Sequence, residues 1–231
     1  MIIASYYFGS FVRMDHDELS DADVLAVADE WTASDESGFI RRFPREMQDK
    51  LSIAWYSPTK LRSMFSAGDL FAWHLFKESK PTGFHVNWLE GLFPPAAYTG
   101  AKRTSEIFSE LLGQIVTEIE EDDFLPIYEA GLLYSVARNI AMACSWHSAG
   151  GLNFSRWAPY RLPEATLAEF LPRALYDKLA WARLAGLRGI IGPTLCHEQV
   201  RTAALGIIDW NSNVQRKLLC IDEHLLKQGV A

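Results

Sequence analysis

The hydrophobic positions fall into two regimes. Up to about Gly100 the apolar runs are short and interrupted; beyond it they recur at helical spacing over long segments. Residues 2–8 are an apolar run that feeds into Gly9-Ser10. Val24-Leu25-Ala26-Val27 is a second run, entered through Asp21-Ala22-Asp23. Short apolar runs bounded by turn residues read as strands. Residues 11–16 between them read as a short helix or turn. Leu51 to Tyr56 reads as a third strand, closed by Ser57-Pro58. Residues 29–38 are polar and turn-rich and read as a loop. Residues 39–50 read as a helix with Phe39, Ile40, Phe43 and Met47 as its apolar stripe, against the presence of Pro44. Residues 59–64 and 70–78 read as helices parted at Gly68, and Lys80-Pro81-Thr82-Gly83 stops the second. Residues 85–93 are a final strand or short helix, which period alone does not decide.

Pro94-Pro95 and Thr99-Gly100 mark a boundary. Past it, residues 105–121, 127–147, 164–187 and 197–226 carry long helical patterns, the third with a break at Pro172. The second is apolar on most of its surface and is expected at the centre of a bundle. Short connections imply antiparallel neighbours. The expected fold class is α+β: a small mixed-sheet domain over residues 1–95, then an antiparallel helical bundle over residues 100–231.

Composition narrows the picture in three ways. Eight Trp and thirteen Phe predict heavy aromatic packing. A net charge of −7 argues against broad, sequence-independent binding of nucleic acid and is compatible with a cationic acceptor. Cys144, Cys196 and Cys220 are odd in number, far apart and set in apolar helical patterns, so buried free thiols are expected. The N-terminal apolar run lacks a basic flank and is too short to span a bilayer. A cytoplasmic, reducing location without a membrane partner is expected.

The candidate chemistry lies between the first two strands. Residues i and i+2 of a strand share a face, so Asp21 and Asp23 are expected to project together at a sheet edge. Adjacent carboxylates repel unless a cation sits between them, and oxygen donors suit Mg²⁺. Gly9 permits close backbone approach, and Ser10 can cap the turn that follows. Free N–H groups at such a turn bind anions. A phosphate cradle beside a metal-binding pair is what nucleotidyl transfer needs. The plainer alternative is a hairpin with an Asp-rich solvent turn. Arg13 either reaches a triphosphate or pairs with Asp15 or Asp17. His74 and Glu78 share a helix face, either as a metal or acid–base pair or as a structural His beside a surface Glu.

Gly9-Ser10, ten intervening residues and Asp21-x-Asp23 resemble the signature of the DNA polymerase β-type nucleotidyltransferases, in particular the minimal and the kanamycin-type enzymes. Arg13, Asp15, Ser20 and the Val-Leu-Ala-Val tail fit the same pattern. The resemblance implies Mg²⁺ held by the catalytic Asp21 and Asp23, with Gly9, Ser10 and Arg13 on the nucleotide. It further implies transfer of a nucleoside monophosphate, AMP from ATP, to an acceptor hydroxyl on a small molecule, an RNA end or a protein tyrosine. The family carries a third carboxylate on the third strand; here that place falls to Ala54, or to Ser52, and Asp49 is the nearest acid. A nucleotide-binding regulatory module with weakened catalysis is therefore the alternative.

The helical half resembles the C-terminal bundles of kanamycin-type enzymes and of HEPN proteins, which makes it a candidate for the acceptor cleft and for a homodimer contact. Arg138-Asn139 resembles the start of the HEPN ribonuclease motif. His147 follows Arg138 by nine residues, about two and a half helical turns, and would face the other way. That weakens a third reading, a ribonuclease toxin fused to its regulator. Arg156, Trp157, Tyr160 and Arg161 either cover the nucleotide or simply connect the bundle.

Overall fold

The computed structural model describes residues 1–16, 20–85, 87–121 and 125–219. It divides into two compact units, Met1–Thr99 and Gly100–Ala231. The first is built on a four-stranded mixed sheet of β1 (Ile2–Phe8), β2 (Ala22–Ala28), β3 (Leu51–Tyr56) and β4 (Lys80–Pro81), in the order β3-β2-β1-β4. β1 runs antiparallel to β2 and β4, and β2 runs parallel to β3. β2 is thus an inner strand. The acids expected at a sheet edge stand instead at the N-terminal end of an inner strand, because the third strand returns beside the second and closes that flank.

Alternation sorts the side chains cleanly. Ala4, Tyr6, Phe8, Leu25, Val27, Ala54 and Tyr56 share one face. They pack under α4 (Pro58–Ser66), α5 (Leu70–Glu78) and a 3-10 turn at Leu89–Leu92. Val24, Ala26, Ile53 and Trp55 take the other face, against Phe39 and Phe43. A register shift between Ile2 and Ala4 brings Ile2 to that second face, as one irregular residue in a ladder must.

Local chemistry explains where the helices start. Ser57 accepts the Lys60 N–H at 3.2 Å and Pro58 opens α4; Asp69 accepts the Phe71 N–H at 2.8 Å and opens α5. The stretch read as a loop over residues 29–38 is largely α2 (Ala33–Ile40). Its polar residues are the signal of a start, not of a loop. The Thr32 hydroxyl accepts the Asp35 N–H at 3.2 Å, and the Asp35 carboxylate accepts the Thr32 N–H at 2.9 Å, a reciprocal cap. No single helix spans residues 39–50: α2 ends at Ile40, and after the turn that leads to Pro44 only α3 (Arg45–Gln48) follows. The last strand is β4, not residues 85–93. That stretch holds the 3-10 turn, whose Leu89 N–H donates to the buried Tyr6 hydroxyl at 2.8 Å.

The second unit holds α6 (Ala101–Glu120), α7 (Pro126–Cys144), α8 (Arg173–Arg188) and α9 (His197–Val214). Pro172 precedes α8, which shortens the expected third helix at its start, and Gly189, left-handed, ends it. Asn211 donates to Ser109 at 2.8 Å while Arg201 reaches the Ile119 carbonyl at 3.5 Å, so α6 and α9 run antiparallel. Gly131 meets the backbone of Arg183, and Tyr134 meets Tyr176, so α7 and α8 do the same. Cys144 is buried, and burial pushes its thiol up to about 12. Cys196 is exposed, contrary to expectation, because it lies at the residue before α9 and not within a helical stripe. Cys220 lies outside the described residues.

Glu129 sits in the first turn of α7 at 4 % exposure, and its Oε2 finds no hydrogen-bond partner among the described residues. Burial, with a smaller push from Glu118, raises its carboxyl above the ordinary glutamate range. A raised value in the folded state means that folding favours the protonated acid. Stability is then fully present below the unfolded-state value and declines as pH rises toward the folded one. Glu129→Gln is expected to flatten that decline and to raise stability at pH 7 by about 1 kcal/mol. Urea denaturation of both proteins across pH 4 to 8 reads the difference.

Candidate functional site

Gly9 ends β1 and caps α1 (Ser10–Arg13), a single helical turn. Its φ of 72° and ψ of −146° lie where only glycine is at ease. A Cβ added there would stand 2.7 Å from Oδ2 of Asp23. The ladder makes that approach inevitable, since Phe8 is paired with Asp23 across the β1–β2 ladder. The turn and the second acid are therefore in contact. The carboxylate rests against a backbone stripped of side chain.

Asp21 immediately precedes β2, and the Ala22 N–H already pairs with the Lys50 carbonyl at 2.8 Å. Both acids are half-buried. Asp23 shares its face with Leu25 and Val27 by alternation. Across the parallel ladder Asp23 is opposite Ser52, and Leu25 is opposite Ala54. The same face of β3 thus carries Ser52, Ala54 and Tyr56, and no carboxylate. Among the described residues no group of three or more His, Cys, Asp and Glu gathers as a metal cage. At this end of β2 the described residues supply Asp21, just before the strand, and Asp23, within it.

Arg13 closes α1. Its Nε donates to both carboxylate oxygens of Asp15 at 3.2 Å, and its Nη1 donates to Oε2 of Glu78 at 2.5 Å. Asp15 is one of the partners expected from the sequence; Asp17, the other, lies outside the described residues. Glu78 was legible only as the neighbour of His74 on one helix face. The two do meet, His74 Nε2 and Glu78 Oε2 being 2.9 Å apart. The His74 ring also stands edge-on to Phe8 at 5.4 Å. The pair therefore sits beside the strand end that precedes Gly9, a placement that no spacing within α5 announces.

Two features of the helical unit have contacts within it. Trp157 packs against Tyr160 and Tyr176, and the Arg173 guanidinium lies 3.8 Å above its ring. Tyr160 donates to the Leu171 carbonyl at 2.8 Å, and burial pushes its phenol upward. Arg156, Trp157 and Tyr160 belong to a connection seated in the bundle's own aromatic cluster. Arg138 donates through Nη2 to the Phe154 carbonyl at 3.0 Å, while His147 lies in a separate 3-10 turn after α7 ends. That arrangement lends the ribonuclease reading no support.

No described helix is long and apolar enough to cross a membrane. No known family profile matches the chain, and no curated protein matches it. Among solved structures, it is similar to spectinomycin adenyltransferase AAD(9) from Enterococcus faecialis, determined with ATP and spectinomycin. The identity is 15 %, the TM-score 0.48, and the match covers 93 % of this chain and 92 % of that one. Likeness of that degree carries no substrate, metal or residue role from one chain to the other.

Proposed function

We propose that the first unit binds a nucleoside triphosphate at the Gly9-Ser10 turn and transfers a nucleoside monophosphate, AMP from ATP, to an acceptor hydroxyl. The observation that carries this reading is the seating of Asp23 against Gly9, with Oδ2 at 2.7 Å from where a Cβ would be. A turn without side chain beside a carboxylate is what bringing a polyphosphate to a carboxylate-held cation requires. The donors fit Mg²⁺: two hard carboxylates with phosphate oxygens and water completing the shell is an ordinary arrangement for that ion. Held by Asp21 and Asp23, the ion would supply charge neutralisation on the phosphates.

The chain's own residues then have separable tasks. Asp21 and Asp23 would hold the ion. The Val12 and Arg13 N–H groups donate to the Gly9 carbonyl at 3.1 Å, which leaves those of Ser10 and Phe11, at the opening of α1, to donate to phosphate oxygens, joined by the Ser10 hydroxyl. Arg13 adds a guanidinium one turn further on. The acceptor oxygen bonds to the α-phosphorus as the bond to the bridging oxygen breaks, and pyrophosphate leaves. The acceptor's proton goes to water, since Ser52, Ala54 and Tyr56 supply no carboxylate to take it. That same feature favours a second reading, a nucleotide-binding module whose catalysis has weakened.

One assay separates the two. The protein is incubated with α-labelled nucleoside triphosphates, MgCl₂ and a panel of small cationic, RNA and protein acceptors. Transfer is expected in the parent and lowered about a thousandfold in Asp21→Asn/Asp23→Asn, equivalent to ~4 kcal/mol of transition-state stabilisation. Nucleotide binding with no transfer to any acceptor favours the module. Absence of both binding and transfer sinks the assignment.

A further inference from the structure

The Arg13 guanidinium is held by two acids from different parts of the chain, Asp15 beside it in sequence and Glu78 at the end of α5. All three partners of the resulting chain, Arg13, Glu78 and His74, have side chains less than one fifth exposed, at 19 %, 11 % and 12 %. Resting on the nucleotide reading above, we infer that Glu78 occupies the place of a ligand phosphate on Arg13, and that a bound polyphosphate takes the guanidinium over from it. Glu78 thereby sets how tightly the site holds its nucleotide.

The placement supports this exchange. Arg13 lies one helical turn beyond Gly9, on the turn that abuts Asp23. An arginine in that position is within side-chain reach of whatever anion the turn cradles. A carboxylate and a phosphate oxygen present the same acceptor geometry to a guanidinium, and the phosphate offers more charge. Glu78 is not stranded when Arg13 leaves, because its Oε2 also meets His74 Nε2 at 2.9 Å. That second partner lowers the cost of surrendering the first, since a half-buried carboxylate without a donor would resist release. Asp15, the more exposed of the two acids at 29 %, is a weaker competitor because solvent screens it.

The prediction is a gain of affinity on removing an acid, which a structural salt bridge alone does not give. Binding of MgATP, and separately of inorganic tripolyphosphate with MgCl₂, is measured by calorimetry on the full chain. Glu78→Gln is expected to tighten both ligands about fivefold or more. Glu78→Asp, which keeps the charge but withdraws it by one methylene, serves if the first variant fails to fold and is expected to tighten both in the same direction. Arg13→Gln is expected to weaken both about tenfold or more. The gain from Glu78→Gln should vanish in the Arg13→Gln background. Equal gains with the two ligands place the exchange on the phosphates; a gain with MgATP alone contradicts that placement. If the parent binds MgATP and loses it in Asp23→Asn, yet Glu78→Gln and Glu78→Asp leave affinity unchanged or weaker, the exchange is wrong and the nucleotide site stands. If neither ligand binds the parent or any Glu78 variant, both ideas fail together.

Discussion

Gly9→Ala is expected to lose stability and nucleotide binding at once. The backbone there, φ 72° and ψ −146°, is nearly closed to any residue with a Cβ, and holding alanine in it costs about 1–3 kcal/mol. The new methyl would also stand 2.7 Å from Oδ2 of Asp23. Either the turn shifts or the carboxylate swings away. Both outcomes separate the turn proposed to cradle phosphate from the acid beside it. MgATP affinity is expected to fall about tenfold or more, a loss of ~1.4 kcal/mol or greater. Asp23→Asn is the informative companion. It leaves the turn intact, so it should lower affinity while changing stability by less than about 1 kcal/mol. In Gly9→Ala/Asp23→Ala the methyl meets no carboxylate, so part of the stability should return, a non-additivity expected only of groups in contact. Urea midpoints and calorimetric titration of these variants, with Asp23→Ala as the second single substitution of the cycle, give both readings. Additive stability losses would show that the two residues do not touch.

The largest effect on stability is expected at Gly68→Ala. Gly68 has φ +65°, and an added Cβ would lie 2.2 Å from the Ala97 carbonyl oxygen and 2.5 Å from that of Ala96. The neighbours are backbone, held in place where the Ala96 N–H donates to the Phe65 carbonyl at 2.9 Å. They cannot rotate aside as a flexible side chain can. A loss of about 3 kcal/mol or more is expected, from left-handed strain and forced backbone displacement together. Gly83→Ala is the control. Its φ is +85°, but nothing lies within 4 Å of the added Cβ, so it should cost only about 1 kcal/mol. The difference between the two urea midpoints, at unchanged denaturant slope, isolates the collision from the strain. Equal losses would mean that the segment at Ala96 and Ala97 does not press on Gly68.

How much of this was legible beforehand follows from range. The strands at Ile2–Phe8, Ala22–Ala28 and Leu51–Tyr56 were readable, because each is a short apolar run between turn residues. So were the cores of α6 and α7, whose periodicity is a property of consecutive residues. The start of α2 was misread, since Thr32 and Asp35 look like loop composition until their reciprocal cap is seen. The two-residue β4 carries no pattern at all; it is a strand only because Tyr6 and Tyr7 lie beside it.

For the candidate site the division is sharper. Gly9, Ser10, Asp21 and Asp23 could be picked out from residue type and interval alone, because a tight turn and an i, i+2 pair are written in neighbouring positions. That β2 is an inner strand, that Asp23 faces Ser52 and not an acid, and that Glu78 reaches Arg13 from 65 residues away were decided by the tertiary structure. Strand pairing and helix docking are settled by which apolar faces bury against one another, and that choice brings together side chains whose separation along the chain records nothing of their distance in space.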